Sequence, residues 1–339
     1  MHEMEMPESL LAIARAGAGV NNIPIKDCAE KGIVVFNSPG ANANAVKELV
    51  VAGLLMSSRK IVNGIEWAKT LKGNGDQVGK MVEKGKSNFA GPEIMGKTLG
   101  VIGLGAIGRL VANACVGLGM TVVGYDAFLS DKAKSELDPS ITVVDDLNAL
   151  YPQCDYISIH VPANDSTKGM MNAVAFAQMK DGVKFMNFSR DKLMNDDDLL
   201  AALDSGKIST YVTDFADDAI LNADKPNIIV LPHLGASSAE AEDNCASMAV
   251  TQVMDYLENG NIVNSVNMPA VSLGARKGTR VSVIAKADAA AAVLAKVAEL
   301  GAADVASATR GDYAYILAEV EADEAAIAID GVIRARILK

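Results

Sequence analysis

Three glycines, Gly103, Gly105 and Gly108, fall in the run Leu99-Gly100-Val101-Ile102-Gly103-Leu104-Gly105-Ala106-Ile107-Gly108. The run follows an apolar, β-branched stretch that reads as a buried strand, and it opens an apolar helical pattern. In that setting each glycine has a physical task. Gly103 permits a tight turn, Gly105 lets the main chain approach a pyrophosphate, and Gly108 lets helix and strand pack closely. The free N–H groups at the helix start, around Ala106 and Ile107, then face the phosphates. Glycine spacing alone is a weak signal; its place between strand and helix makes it specific. The next strand ends at Asp126, whose carboxylate would accept hydrogen bonds from an adenosine ribose and repel a 2′-phosphate. No arginine follows in Ala127-Phe128-Leu129-Ser130, so the pattern implies NAD rather than NADP.

Three further segments sit at strand ends, where open α/β sheets bind their ligands. They are Asn187-Phe188-Ser189-Arg190, Thr213-Asp214-Phe215 and Leu231-Pro232-His233-Leu234-Gly235-Ala236-Ser237-Ser238. An arginine after a strand is usually a surface charge, and a histidine after proline in a loop is usually unremarkable. Their order together carries more. With Ala16-Gly17-Ala18-Gly19-Val20-Asn21-Asn22-Ile23, Asn37-Ser38-Pro39-Gly40-Ala41-Asn42 and His160-Val161-Pro162, these segments resemble the D-2-hydroxyacid dehydrogenase family. Within it the likeness is greatest to the branch that oxidises 3-phosphoglycerate, and it runs from about residue 10 to residue 268.

The resemblance implies roles. Arg190 would bind the substrate's carboxylate and carbonyl oxygen with a planar, permanently charged guanidinium. His233 would take the hydroxyl proton as hydride leaves, and return it in reverse. Asp214 would contact the nicotinamide ribose or amide. Main-chain amides around Ala18 and Gly19 would hold the substrate carboxylate. The turns Phe188–Arg190 and His233–Ala236, Gly235 included, would line the dinucleotide. His160, with Val161 and Pro162, would form a cofactor wall. The implied reaction is NAD-dependent oxidation of 3-phosphoglycerate to 3-phosphohydroxypyruvate, a step of serine synthesis. Two rivals stand beside it: a hydroxypyruvate or glyoxylate reductase, and a non-catalytic NAD-binding regulatory homologue.

Four departures from the family pattern bear on activity. Ala219 stands where the family has a glutamate paired with the catalytic histidine; Asp217 and Asp218 precede it, and Asp218 is the candidate substitute. Asp191 replaces the glycine after the arginine. The chain is expected to lack the first strands of the substrate domain and an arginine that binds the substrate phosphate. The C-terminal unit resembles an ACT domain through Arg310-Gly311-Asp312-Tyr313-Ala314-Tyr315. Its first loop, Lys286-Ala287-Asp288-Ala289-Ala290, lacks the Asn, Pro and Gly of effector-binding members.

Elements must position these residues. Strands are expected at Gly32–Phe36, Thr98–Gly103, Thr121–Tyr125, Tyr156–His160, Lys184–Asn187, Tyr211–Phe215 and Ile228–Leu231. Helices are expected at Ala45–Lys60, Ile107–Leu118, Asn195–Asp204 and Ala239–Glu258. Strand–helix alternation implies a Rossmann doubly wound parallel sheet. The tail reads as strand Arg280–Lys286, helix Ala289–Leu300, strands Asp304–Thr309 and Tyr313–Glu321, helix Glu324–Ile329 and strand Ile333–Leu338. That βαββαβ order is ferredoxin-like. The expected organisation is a truncated, partly flavodoxin-like substrate domain over 1–44 completed by helix 239–258. An NAD-binding Rossmann domain follows over 45–238, then a linker over 259–278 and an ACT-like domain over 279–339.

Bulk properties close off other classes. The 339 residues carry a net charge of −11, so nucleic acid and acidic membranes would be repelled. No run approaches the roughly 18 apolar residues of a membrane span, and the first residues lack the pattern of a signal peptide. The four cysteines form no CxxC pair, so no metal site or disulfide framework is indicated. The expectation is a cytoplasmic protein with a small anionic 2-hydroxy or 2-keto acid substrate. It would be a homodimer or homotetramer, with helix Ala45–Lys60 as the candidate interface.

Overall fold

The computed structural model describes residues 1–321 and 329–339. The chain divides into two compact units, Met1–Asn42 with Ala239–Lys339, and Ala43–Ser238. In the first unit, strands β1 (Ala12–Ala14) and β2 (Val34–Phe36) pair in parallel.

The second unit carries β3 (Thr98–Ile102), β4 (Thr121–Tyr125), β5 (Thr142–Val144), β6 (Tyr156–Ile159), β7 (Val183–Asn187), β8 (Ile208–Thr213) and β9 (Ile228–Val230). They form one seven-stranded sheet, all parallel, in the order β5-β4-β3-β6-β7-β8-β9. The order reverses between β3 and β6, and crevices for ligands open at such a switch point, outside the carboxyl ends of the strands. Helices cover both faces, so strands such as Tyr156-Ile157-Ser158-Ile159 are buried along their whole length. The helix Ala43–Arg59 buries Val46, Val50 and Leu54 in the same cluster as Val111, Ala112 and Cys115 of the helix Ala106–Gly117. Helix starts are fixed by short polar side chains: Asn172, Asn195 and Asp217 each accept an N–H of the first turn.

Strands β10 (Thr279–Lys286), β11 (Asp304–Arg310), β12 (Tyr313–Val320) and β13 (Val332–Leu338) make a separate antiparallel sheet in the order β11-β12-β10-β13. The helix Ala290–Glu299 buries Val293 and Val297 on one face of it. The other face, through Ile284, Tyr315 and Leu317, packs on Phe36, Tyr256, Ile262 and Met268. The expected helix Glu324–Ile329 falls largely outside the described residues.

The stretch 259–278, expected as a linker, is packed rather than strung through solvent. Asn261, Ile262, Asn267, Met268 and Val271 are all buried. The cause lies at the end of the long helix Ala239–Asn259, whose last carbonyls have no partner within the helix. Arg336 donates to the carbonyls of Tyr256 (3.2 Å) and Leu257 (2.8 Å), and Arg280 to that of Asn259 (2.7 Å). The Tyr315 hydroxyl donates to Gly260 O. Cations also suit the negative end of the helix dipole. Arg280 is wholly buried and paired with Glu319 through Nε at 3.1 Å. Asn267 does similar service for β2, accepting from Val35 N and donating to Ile33 O. These polar anchors hold the stretch in place together with the burial of Ile262, Met268 and Val271.

Among the described residues no helix is long and apolar enough to cross a membrane. Arg280→Met should lower the free energy of unfolding by about 3–5 kcal/mol, since it strands the Glu319 carboxylate without its partner. Urea denaturation would measure it, and Arg280→Met with Glu319→Leu should recover much of the loss. A change below about 1 kcal/mol in the single variant would show that the pair carries little.

Candidate active site

The turn after β3 has the geometry its glycines require. Gly103 has φ +93°, and a Cβ there would lie 2.8 Å from the His160 carbonyl oxygen. Gly105 caps the helix Ala106–Gly117, and a Cβ on it would meet nothing within 4 Å. At Gly108 a Cβ would lie 1.8 Å from Gly103 O, so helix and turn touch only because the side chain is absent. Asp126, at the end of β4, ties this loop down: Oδ2 accepts from Leu104 N at 2.7 Å and Oδ1 from Phe128 N at 2.8 Å. Each oxygen keeps a second lone pair for a ribose hydroxyl.

The neighbouring strand ends supply the facing groups. His160 follows β6, with Nε2 at 2.8 Å from Ser158 Oγ and a buried Nδ1 that has no partner. Burial lowers its pKa from 6.5 to about 3, so the ring is neutral at physiological pH. After β7 the Phe188 ring enters the core against Gly53, leaving only its main chain to line a ligand. Ser189 is buried, its Oγ donating to Ile159 O at 3.0 Å. Arg190 is exposed and donates from Nη1 to Ser189 O at 2.5 Å.

Asp214 follows β8 and is almost wholly buried. Its Oδ2 accepts from Gly235 N at 2.8 Å, its main-chain oxygen accepts from His233 N at 2.9 Å, and its Oδ1 has no partner. Burial raises its pKa; the Gly235 N–H and the charges of His233 and Arg190 pull the other way. A Cβ at Gly235 would lie 2.9 Å from Asp214 Oδ2, which explains the glycine. His233 sits in the loop after β9 with φ +53°, exposed, its ring 4.9 Å from that of Phe215 between centroids. Ala236 is half-buried beside it in the chain, as is Val161 after His160, while Pro162 is exposed.

The structure therefore brings Arg190, Asp214, His233 and Gly235 to one end of the sheet. It does not join His233 to a carboxylate side chain: among the described residues no such hydrogen bond forms. Asp217 is occupied as a helix cap through Ile220 N at 2.9 Å. Asp218 and Ala219 are exposed in the first turn of the helix Asp218–Asn222. The loop holding Ala18 and Gly19 belongs to the other unit. It is shaped by Asn37 Nδ2 on Ala18 O (2.9 Å) and by Ser38, whose N–H donates to Gly17 O (3.0 Å).

Sequence reasoning did not single out Ser158, Asn187, Asn37 or Ser38 as organisers. A polar residue inside or just after an apolar strand was the available signal. All four cysteines are buried; burial pushes the thiols of Cys115 and Cys154 up to about 12. Among the described residues no cluster of His, Cys, Asp and Glu could hold a metal ion. The open face at Gly105 and the orphaned atoms His160 Nδ1 and Asp214 Oδ1 fit a dinucleotide that fills the cradle and supplies polar partners.

Residues 51–235 match the family described as D-isomer specific 2-hydroxyacid dehydrogenase, NAD binding domain. A D-3-phosphoglycerate dehydrogenase of Methanocaldococcus jannaschii is 34% identical over 283 residues, 81% of this chain and 51% of that protein. A hydroxypyruvate reductase of Thermotoga maritima is 36% identical over 263 residues, 75% of this chain and 80% of that protein. The NAD+-bound structure of the Entamoeba histolytica 3-phosphoglycerate dehydrogenase superposes with a TM-score of 0.61 at 27% identity, covering 77% of this chain and 76% of that one. The chain spans about half the length of the phosphoglycerate dehydrogenases among the curated relatives it matches.

His160 yields a pH prediction. Its folded pKa lies below its ordinary one, so its neutral form stabilises the fold fully above pH 6.5, and that contribution is lost as pH falls toward about 3. Chemical denaturation of the wild type should therefore show a steeper fall in stability over this window than His160→Gln. Parallel curves for the two proteins would contradict the assignment.

Proposed function

This chain belongs to the D-isomer-specific 2-hydroxyacid dehydrogenase family, and from that premise we propose that it oxidises 3-phosphoglycerate with NAD, yielding 3-phosphohydroxypyruvate for serine synthesis. The observation that carries the dehydrogenase reading is the convergence of Arg190, Asp214 and His233 on strand ends beside the glycine cradle. The phosphoglycerate reading is supported by relatives of that name at 33–34% identity.

Bound NAD supplies the hydride acceptor. Gly103, Gly105 and the amides of Ala106 and Ile107 would hold its pyrophosphate, and Asp126 its adenosine ribose. The half-buried walls at His160 and Val161 exclude water from one side. Asp214 Oδ1, buried and lacking a donor, accepts from the nicotinamide ribose or amide. Arg190 grips the substrate carboxylate and the C2 oxygen, a fork that also stabilises developing negative charge. A ring nitrogen of His233 removes the C2 hydroxyl proton as hydride departs, and the protonated ring returns it when the keto acid is reduced.

A second reading, reduction of hydroxypyruvate or glyoxylate, has its own support. The hydroxypyruvate reductase relative is covered over 80% of its length, and Asp191 sets a negative charge next to Arg190, which suits a substrate without a phosphate. For the tail we propose an ACT-like unit that serves structure or association rather than effector binding. We place the protein in the cytoplasm as a homodimer or homotetramer.

Steady NADH production from 3-phosphoglycerate, set against NADH-driven reduction of hydroxypyruvate and glyoxylate, tests the substrate. The expected order puts 3-phosphoglycerate and its keto acid first; a tenfold preference for hydroxypyruvate would select the second reading, and no turnover of any would select a non-catalytic protein. Arg190→Ala should reduce turnover more than tenfold while NADH binding stays within about threefold, the signature of a lost charged contact to substrate. Ala219→Glu should quicken keto-acid reduction at pH 7 and hold that rate to higher pH, because a carboxylate near His233 favours the imidazolium that donates the proton. If Asp218 already fills the role, Asp218→Asn should instead be the slow variant, and Ala219→Glu should change little.

A further inference from the structure

Asn187 closes strand β7 with its side chain fully buried, after the apolar residues Phe185 and Met186. Its side-chain oxygen and nitrogen both bond to the residues two and three positions on, and the side chain also meets the Tyr211 hydroxyl. Oδ1 accepts the N–H of Ser189 at 3.0 Å and the N–H of Arg190 at 3.3 Å, while Nδ2 donates to the Arg190 carbonyl at 2.8 Å. One buried amide thus holds three of the four main-chain polar groups of the Ser189–Arg190 pair. The fourth, Ser189 O, takes the guanidinium of Arg190 itself at 2.5 Å. Ser189 Oγ, on Ile159 O at 3.0 Å, pins the same turn to the end of β6. Arg190 leaves this turn in an extended conformation, φ −155° and ψ 143°, and its head group is exposed.

The direction of a long, solvent-facing side chain is set by its backbone and by whatever touches its head. Here the backbone is fixed from beneath by Asn187, and among the described residues the head's hydrogen bond goes to that same turn. We propose that Asn187 is a positioning residue: it aims Arg190 over the carboxyl ends of the strands, where the 2-hydroxy acid must lie. The inference rests on the reading of Arg190 as substrate anchor. The chemistry selects asparagine over its isosteres. An ionised aspartate would accept the two N–H groups but would face the Arg190 carbonyl with an oxygen that cannot donate; only the protonated acid restores that bond. Alanine supplies neither function.

The pH behaviour of the aspartate variant separates positioning from a merely structural role. With hydroxypyruvate and 3-phosphohydroxypyruvate as probes, Asn187→Ala should lower kcat/KM with NADH at least 100-fold while NADH affinity, read by fluorescence titration, changes less than threefold. Asn187→Asp should be impaired at pH 8 and should regain at least tenfold relative to wild type as pH falls to 5.5, when the introduced carboxyl takes up its proton and donates again. Arg190→Ala, measured in parallel, separates the two claims. If Arg190→Ala is inactive and Asn187→Ala retains more than a third of wild-type kcat/KM, the positioning inference alone fails. If Arg190→Ala turns over normally, the anchor reading fails and takes this inference with it. Should Asn187→Ala not fold, a flat ratio of Asn187→Asp to wild-type activity from pH 5.5 to 8 would by itself overturn the proposal.

Discussion

The contact between Gly108 and the carbonyl of Gly103 governs the nucleotide-binding unit. A Cβ at Gly108 would stand 1.8 Å from that oxygen, so the helix Ala106–Gly117 can dock on the turn after β3 only through a bare Cα. Docking there puts the helix's free N–H groups at the switch point of the sheet, where strand order reverses. It also sets the turn beside His160, whose carbonyl excludes any side chain at Gly103. Asp126 holds the other side through Leu104 and Phe128. The cradle is thus built from steric absences, with one carboxylate to lock them.

A second, polar framework runs across the ends of β7, β8 and β9. Asp214 joins two of these ends by accepting from Gly235 N and, through its main chain, from His233 N. His233 is held in a left-handed conformation by this arrangement, a backbone state that costs a non-glycine residue energy and is retained where neighbours fix it. Asn187 does the equivalent for the end of β7. In each case a buried polar side chain organises an exposed one, so the groups facing solvent inherit their placement from the core.

Much of this was legible in the sequence. The seven strands with strong β-branched, apolar runs were located to within a few residues, β4 to the residue, because burial on both faces leaves continuous hydrophobic stretches. β1 and β5 were not, being three residues each with none of them buried. The glycine cradle and Asp126 were legible because their spacing reflects backbone sterics. The segment 259–278 has the composition of a linker, whereas some of what anchors it is long-range: Asn267 bonds to Val35 and Ile33, and Arg280 of the C-terminal sheet to Asn259 O. Asp218 was singled out by proximity in sequence to Ala219; the fold instead employs Asp217 as a helix cap and leaves Asp218 in solvent. Which long-range polar pairs form is not written in local periodicity.

The central claim is that residues 103–126 make an NAD-specific cradle whose carboxylate at Asp126 meets the adenosine ribose. Fluorescence titration of the purified protein with NADH and with NADPH tests it most directly. The account predicts saturable NADH binding at least tenfold tighter than NADPH, the discrimination of a partly buried carboxylate against a 2′-phosphate. NADPH binding as tight as NADH, or no saturable binding of either, would contradict it.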